Sequence, residues 1–234
     1  MIVRSTKSGR KTKGVVLAAA AMVALTGCGA LHPGAAAVVD STTISHDTVD
    51  SLAEALCTAN LEGAKAAGQA RDFSTRSTRE SALQVLLEAQ LSHVFGEEEN
   101  VQPNRQLVSQ ALAQNKDLID ALPEDEQDAY RDALEEYASG QLMLVEIGRA
   151  SLEEQGQDNV PDDQAIAEGQ RLRSEFVKTI DVEVDPRYGT FSKDTLQPGG
   201  TSLSVAQSEN ARAGDKAEPG TDFVSGLPGS QRCS

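Results

Sequence analysis

The 234-residue sequence is poor in the side chains from which catalytic and metal sites are built, with only three histidines and three cysteines. His32, His46 and His93 stand far apart, with no second histidine at ligand spacing and no cysteine cluster, so no zinc-type site can be read. There is no glycine-rich phosphate loop and no nucleophile elbow. The sequence therefore offers no catalytic constellation, no metal ligand set and no cofactor motif. Asp181, Glu183 and Asp185 alternate along one short stretch but lack the glycine and the distant glutamate of a calcium loop. They read as the solvated edge of a strand.

A membrane-spanning run is also missing. The apolar stretch Val15 to Leu25 has 11 residues, short of the roughly 20 a transmembrane helix needs. It follows five basic residues, Arg4, Lys7, Arg10, Lys11 and Lys13, with no acid among them, and ends in small residues. That is the three-part pattern of an export signal. Its close, Leu25-Thr26-Gly27-Cys28, resembles the lipobox of a bacterial lipoprotein signal peptide. The resemblance implies diacylglyceryl transfer to the Cys28 thiol and cleavage in front of it, with residues 1–27 removed. An ordinary signal peptide with a chance cysteine is the competing reading.

The mature chain would hold 207 residues, one moderate domain with a tail. Sixteen Lys and Arg against 36 Asp and Glu give it a formal charge of −20. Such a surface repels nucleic acid and anionic headgroups, which leaves acyl chains as the membrane attachment. With Cys28 assigned to lipid, Cys57 and Cys233 remain. Outside the cytoplasm an even remainder reads as a disulfide, whose long loop is worth up to about 5 kcal/mol in the chain-entropy account. Two independent thiols are the alternative.

After a tether over residues 28–34, Ala35 to Val39 and Thr42 to Ile44 read as two short strands around a tight turn. Ser45 then caps a helix with Asp47 in its first turn, and Val49, Leu52, Ala53, Leu56 and Cys57 share one face. A second helix runs from Thr75–Thr78 to Phe95 on the stripe Leu83, Leu86, Leu87, Leu91, Val94, and Gly96 stops it. A third begins after Pro103, with Leu107, Val108, Ala111, Leu112, Leu118, Ile119 and Leu122 in period and Asn115 as the polar exception. Pro123 restarts the chain into the longest helix, about Glu124 to Gln155. Tyr130, Ala133, Leu134, Tyr137, Leu144, Val145, Gly148 and Leu152 form its stripe, and Leu142-Met143-Leu144-Val145 is apolar all round. A last helix starts at Asp162. At Asp181 the period changes to two, giving one late strand over Val182 and Val184. Beyond Ser192 the composition predicts a mostly irregular tail, anchored near Phe223 to Cys233 if the disulfide forms. The fold class is mainly α: a cradle of about five amphipathic helices over residues 35–191, a small N-terminal strand pair, one late strand, and a tail over 192–234.

The stretch AAAVVDSTTISHDTVDSLAEAL, Ala35 to Leu56, resembles the opening of the SurA N-terminal domain family, in which a strand pair of the form A-x-V-x-x-x-x-I precedes a helix. The helices that follow are similar in order. VEVDPRYGTF, Val182 to Phe191, and Ser202-Leu203-Ser204 resemble the terminal segment of SurA-like lipoproteins. The resemblance covers roughly Ala35 to Val205. It implies a helical cradle that binds non-native exported polypeptides and performs no chemical step. Many relatives of the SurA and PrsA type also carry a parvulin prolyl isomerase module of about 90 residues, and no stretch here alternates helix and strand signals over that length.

Three functions follow as expectations. The first is a lipid-anchored extracytoplasmic lipoprotein with chaperone-like binding of unfolded or partly folded exported proteins, for which Leu86, Val94, Tyr130, Tyr137 and Met143 are candidates because they lie on apolar stripes. The second is an accessory lipoprotein that holds one envelope partner, and the third is a prolyl isomerase.

Overall fold

The computed structural model describes residues 33–69, 71–197, 207–216 and 219–233. All fall within one compact unit, Leu31–Ser234. The leader, Cys28 and His32 lie outside the described residues.

The chain enters through β1 (Ala35–Val39) and β2 (Thr42–Ser45). They pair antiparallel with Val39 opposite Thr42, so Asp40 and Ser41 make a two-residue turn in which Asp40 takes φ 53°. Asp tolerates that left-handed backbone better than most residues. Ser45 then caps α1 (His46–Ala66), its side chain accepting from the Thr48 amide at 3.0 Å. The helix continues through Gly63, well beyond the apolar face that ends at Cys57. After β3 (Phe73–Ser74), α2 runs Thr75–Glu98.

Helix α2 does not stop at Gly96. That glycine is buried within it, and a Cβ there would sit 2.6 Å from the Met143 Sδ. A glycine read from sequence as a stop is here a close-packing site. The third helix is in fact two, α3 (Arg105–Gln114) and α4 (Lys116–Ala121), capped at the start by Asn104, whose Oδ1 accepts from the Gln106 and Leu107 amides. Asn115 is the break, its Nδ2 donating back to the Ala111 carbonyl. Helix propensity alone carries the period across this point; a polar side chain competing for backbone groups interrupts it. Leu107 falls outside the apolar face and is 42% exposed.

Helix α5 (Glu124–Glu154) opens with Glu124, Asp125 and Glu126 at its positive end. Helix α6 (Asp162–Phe176) packs antiparallel-fashion back along it through two glycines, and the fit is backbone to backbone. A Cβ at Gly148 would fall on the Ala165 carbonyl oxygen, and one at Gly169 on the carbonyl oxygen of Leu144. Phe95, Leu144 and Ile147 form a core there with Ile166, Leu172 and Phe176 against them. The rings of Phe95 and Phe176 lie 5.3 Å apart.

The late strand, β4 (Val182–Val184), pairs with the free side of β1, giving the order β2-β1-β4. This explains why all five residues of β1 are buried. The central strand and α1, α2, Ala133, Val177 and Tyr188 make the larger core.

The tail is more regular than its composition suggests. A hairpin of β5 (Thr190–Ser192) and β6 (Thr195–Gln197) crosses the expected domain edge at 191. Its turn residue Asp194 is buried against Arg173, whose Nε and one Nη donate to the carboxylate at 3.3 and 3.1 Å while the other Nη donates to Ser92 Oγ at 2.9 Å. Further on, α7 (Glu209–Gly214) and α8 (Thr221–Ser225) lead to β7 (Arg232–Cys233), which pairs with β3. Cys57 and Cys233 form a disulfide with Cα atoms 5.6 Å apart, so the end of the chain is tied to the first helix. Eight α-helices and a few short antiparallel strands make the fold mainly α among the described residues.

Candidate functional site

Helix α5 is apolar toward α1 and α2 along its first half as well as its second, but there the neighbours do not close over it. Leu52 and Leu56 of α1, Val85 of α2, and Tyr130, Ala133, Leu134 and Tyr137 of α5 line a groove of about 160 Å³. Leu52 and Ala133 are buried and form its floor, while the other five are half-buried. The helical spacing of Tyr130, Ala133, Leu134 and Tyr137 puts them on one face, which lines the groove opposite Leu52, Leu56 and Val85.

The two phenols give the groove a polar margin. Burial pushes the pKa of Tyr130 up, and burial together with the nearby Glu88 charge does the same for Tyr137, so both rings carry their protons. Neither hydroxyl has a hydrogen-bond partner among the described residues, and neither is sealed from solvent. An apolar floor with free hydroxyls above it suits a chain that offers a side chain to the floor and backbone groups to the edge.

Of the five sequence candidates, the structure brings Tyr130 and Tyr137 together in this groove. Leu86 and Val94 are half-buried against the larger core and do not line it. Met143 does not line it either: at 2% exposure it is packed inward against Gly96, where α5 meets α2. Leu52, Leu56 and Leu134 belong to the groove and carried no signal beyond their place on apolar stripes, and Val85 lies outside the stripe read for α2.

Of the acids along the late strand, Asp181 is exposed and Glu183 half-buried, and one departs from expectation. Asp185 is buried instead of lying on a solvated edge, and it caps the 186–188 turn by accepting from the Arg187 amide at 2.9 Å. Burial raises its pKa, but the Arg187 guanidinium, at 3.0 and 2.7 Å, outweighs that and leaves the carboxyl below its usual range. His46 joins this network through Tyr188 Oη at 2.9 Å from Nδ1. His93 lies 2.8 Å from the Glu136 carboxylate. No group of three or more potential metal ligands occurs among the described residues.

Fold and groove together define a mainly α domain with an open apolar groove between three helices. No protein-family model matches the chain, and no curated protein or solved structure is similar enough to it to count as a match.

Proposed function

We propose that this chain is an extracytoplasmic lipoprotein, held to the membrane by acyl chains on Cys28, that binds apolar segments of non-native exported polypeptides in the groove between α1, α2 and α5. The observation that carries the reading is the open groove itself, an apolar face left uncovered in a strongly acidic protein. At about 160 Å³ it is well below the roughly 300 Å³ where pockets for drug-sized ligands begin. It has room for one large apolar side chain at a time. Burying one such side chain contributes about 1.5–3 kcal/mol, so each engagement is weak and tolerant of sequence, as a holdase requires. The acidic surface keeps the bound chain soluble. The lipobox at Leu25 to Cys28 and the resemblance of Ala35 to Leu56 to the SurA N-terminal domain support the location and the class of client.

The test is light scattering of a chemically unfolded client diluted into buffer with and without residues 29–234. Suppressed aggregation of several unrelated clients at near-equal concentration is the expected result. Unchanged scattering across all of them would reject the holdase reading and direct attention to one dedicated envelope partner.

A further inference from the structure

We propose that a second, polar cleft binds the phosphate of an anionic phospholipid headgroup and thereby sets how the folded domain stands on the membrane that carries its anchor. The membrane part of this proposal rests on the lipoprotein reading above.

The cleft has a volume of about 440 Å³ and lies where the amino ends of α1 and α2 meet the 186–188 turn and the C-terminal residues Ser230 and Gln231. Three arginines line it, Arg76, Arg79 and Arg187, in a mature chain whose formal charge is −20. Each is paired with a carboxylate, and two of these, Asp50 and Glu80, line the cleft as well. Arg76 Nε donates to Glu80 at 2.9 Å, and Glu80 is 6% exposed. Arg79 Nε pairs with Asp50 at 2.8 Å. Arg187 places Nε and one Nη on Asp185, and that same Nη lies 2.7 Å from His46 Nε2.

The Nε hydrogen bonds of Arg76 and Arg187 fix their planes, and donors are left unused. Both Nη atoms of Arg76, both of Arg79 and the second of Arg187 have no partner among the described residues. Guanidinium forks of this kind match phosphate oxygens bidentately. The first turn of α2 adds its amide end, for it contains no acid and Ser74 makes no side-chain cap. Thr75 and Ser230, hydroxyl side chains in the cleft lining, suit a polyol headgroup better than a bulky cation.

Placement favours a lipid phosphate over one free in solution. The His46 amide donates to the Gly34 carbonyl at 3.0 Å, so the chain enters the domain beside a residue that lines the cleft. Five residues lie between Cys28 and Gly34, a reach of at most about 20 Å. The anchor would therefore hold headgroups at high local concentration next to the cleft, where a weak site is enough. Repulsion from the acidic surface is screened beyond about 8 Å at physiological ionic strength.

The experiment follows the arginine Nε–Hε resonances of residues 29–234, which retain the whole core, all of it within 35–233. Probes are dihexanoylphosphatidylglycerol below its micelle concentration, the matching phosphatidylcholine, and inorganic phosphate. Saturable shifts of Arg76, Arg79 and Arg187 with phosphatidylglycerol are expected, at least tenfold weaker with phosphatidylcholine and in Arg79→Gln. Arg79→Lys should recover part of the loss, and Arg105→Gln should change nothing; melting curves confirm that each variant is folded. Absence of shifts with every probe overturns the site. Phosphate binding as tight as phosphatidylglycerol binding overturns the lipid assignment. Acylation of Cys28 is read separately from the mass of the mature N-terminal peptide: headgroup binding without acylation overturns the orienting role while leaving the groove's holdase assay unaffected.

Discussion

The two halves of α5 solve the same problem in opposite ways. From Gly140 onward the helix meets small residues: the Ser92 side chain lies beside Gly140 and Gly96 of α2 takes the Met143 side chain, while Ala165 and Gly169 of α6 come so close at Gly148 and Leu144 that backbone meets backbone. From Tyr130 to Tyr137 the face is equally apolar, but it meets the larger Leu52, Leu56 and Val85, which stand it off and leave a groove. Small residues close one end and large ones open the other. Apolar surface on a helix thus has two fates within one element, and residue size on the neighbouring helices decides which.

The largest test of this contrast compares two leucines ten residues apart. Leu144 is fully buried and Leu134 is half-buried at the groove. Leu144→Ala should cost about 2–5 kcal/mol through lost transfer energy and a cavity, whereas Leu134→Ala should cost less than about 1.5 kcal/mol. Urea denaturation of both variants measures this, and equal losses would mean the groove is closed in solution.

Next in size is the disulfide. Replacing Cys57 and Cys233 together by serine should lower stability by about 2–4 kcal/mol. The effect should be local: hydrogen exchange should speed up in residues 71–74 and 219–233, which β3, β7 and the Arg232 to Asp72 ion pair at 3.0 Å hold together. Protection in residues 140–173 should persist. Loss of protection in 140–173 as well would show that the C-terminal clamp and the second half of α5 unfold as one cooperative unit.

A smaller effect separates two buried glycines. Gly148→Ala gains about 1 kcal/mol of helix propensity but drives a methyl into a backbone carbonyl that cannot rotate away, an overpacking cost of about 1–3 kcal/mol or more. A net loss is expected. Gly96→Ala meets only the end of the Met143 side chain, which has rotamers to spare, so its stability should stay within about 1 kcal/mol of the parent. Thermal melts decide both.

The smallest effect is acidic. Glu168 of α6 accepts from Arg171 at 2.8 Å twice and from Ser151 of α5 at 3.0 Å. The Arg171 hydrogen bonds, more than Ser151, pull its pKa from 4.5 down to about 2. A carboxyl depressed on folding stabilises above its unfolded pKa, so this contribution is complete above about pH 4.5 and is lost as pH falls toward 2. Glu168→Gln should flatten that part of the stability profile. A variant as pH-sensitive as the parent over this window would place the effect elsewhere.

Much of this architecture was legible from residue order. Ser45 with Asp47 marks the start of α1, Pro123 with three acids marks α5, and the change to period two at Asp181 marks the strand that completes the sheet. Each is a local signal with a local cause. What escaped depends on contact between distant segments. Gly96 reads as a stop until Met143 is seen to occupy the space beside it, and Asp185 reads as solvated until Arg187 folds over it. Asn115 breaks a helix whose apolar period runs on unbroken. The groove was half visible, since the spacing of Tyr130 and Tyr137 puts both on one apolar face. Periodicity cannot say whether a neighbouring helix covers that face.

The measurement that tests the central claim most directly is client aggregation in the presence of residues 29–234 carrying Leu134→Glu, compared with the parent at equal folded fraction. A charge placed in the groove costs little stability at a half-buried position but makes the floor hostile to an apolar side chain. The account predicts that suppression of scattering is lost while the melting temperature stays within a few degrees of the parent. Full suppression by this variant would contradict it and remove the groove as the place where unfolded chains bind.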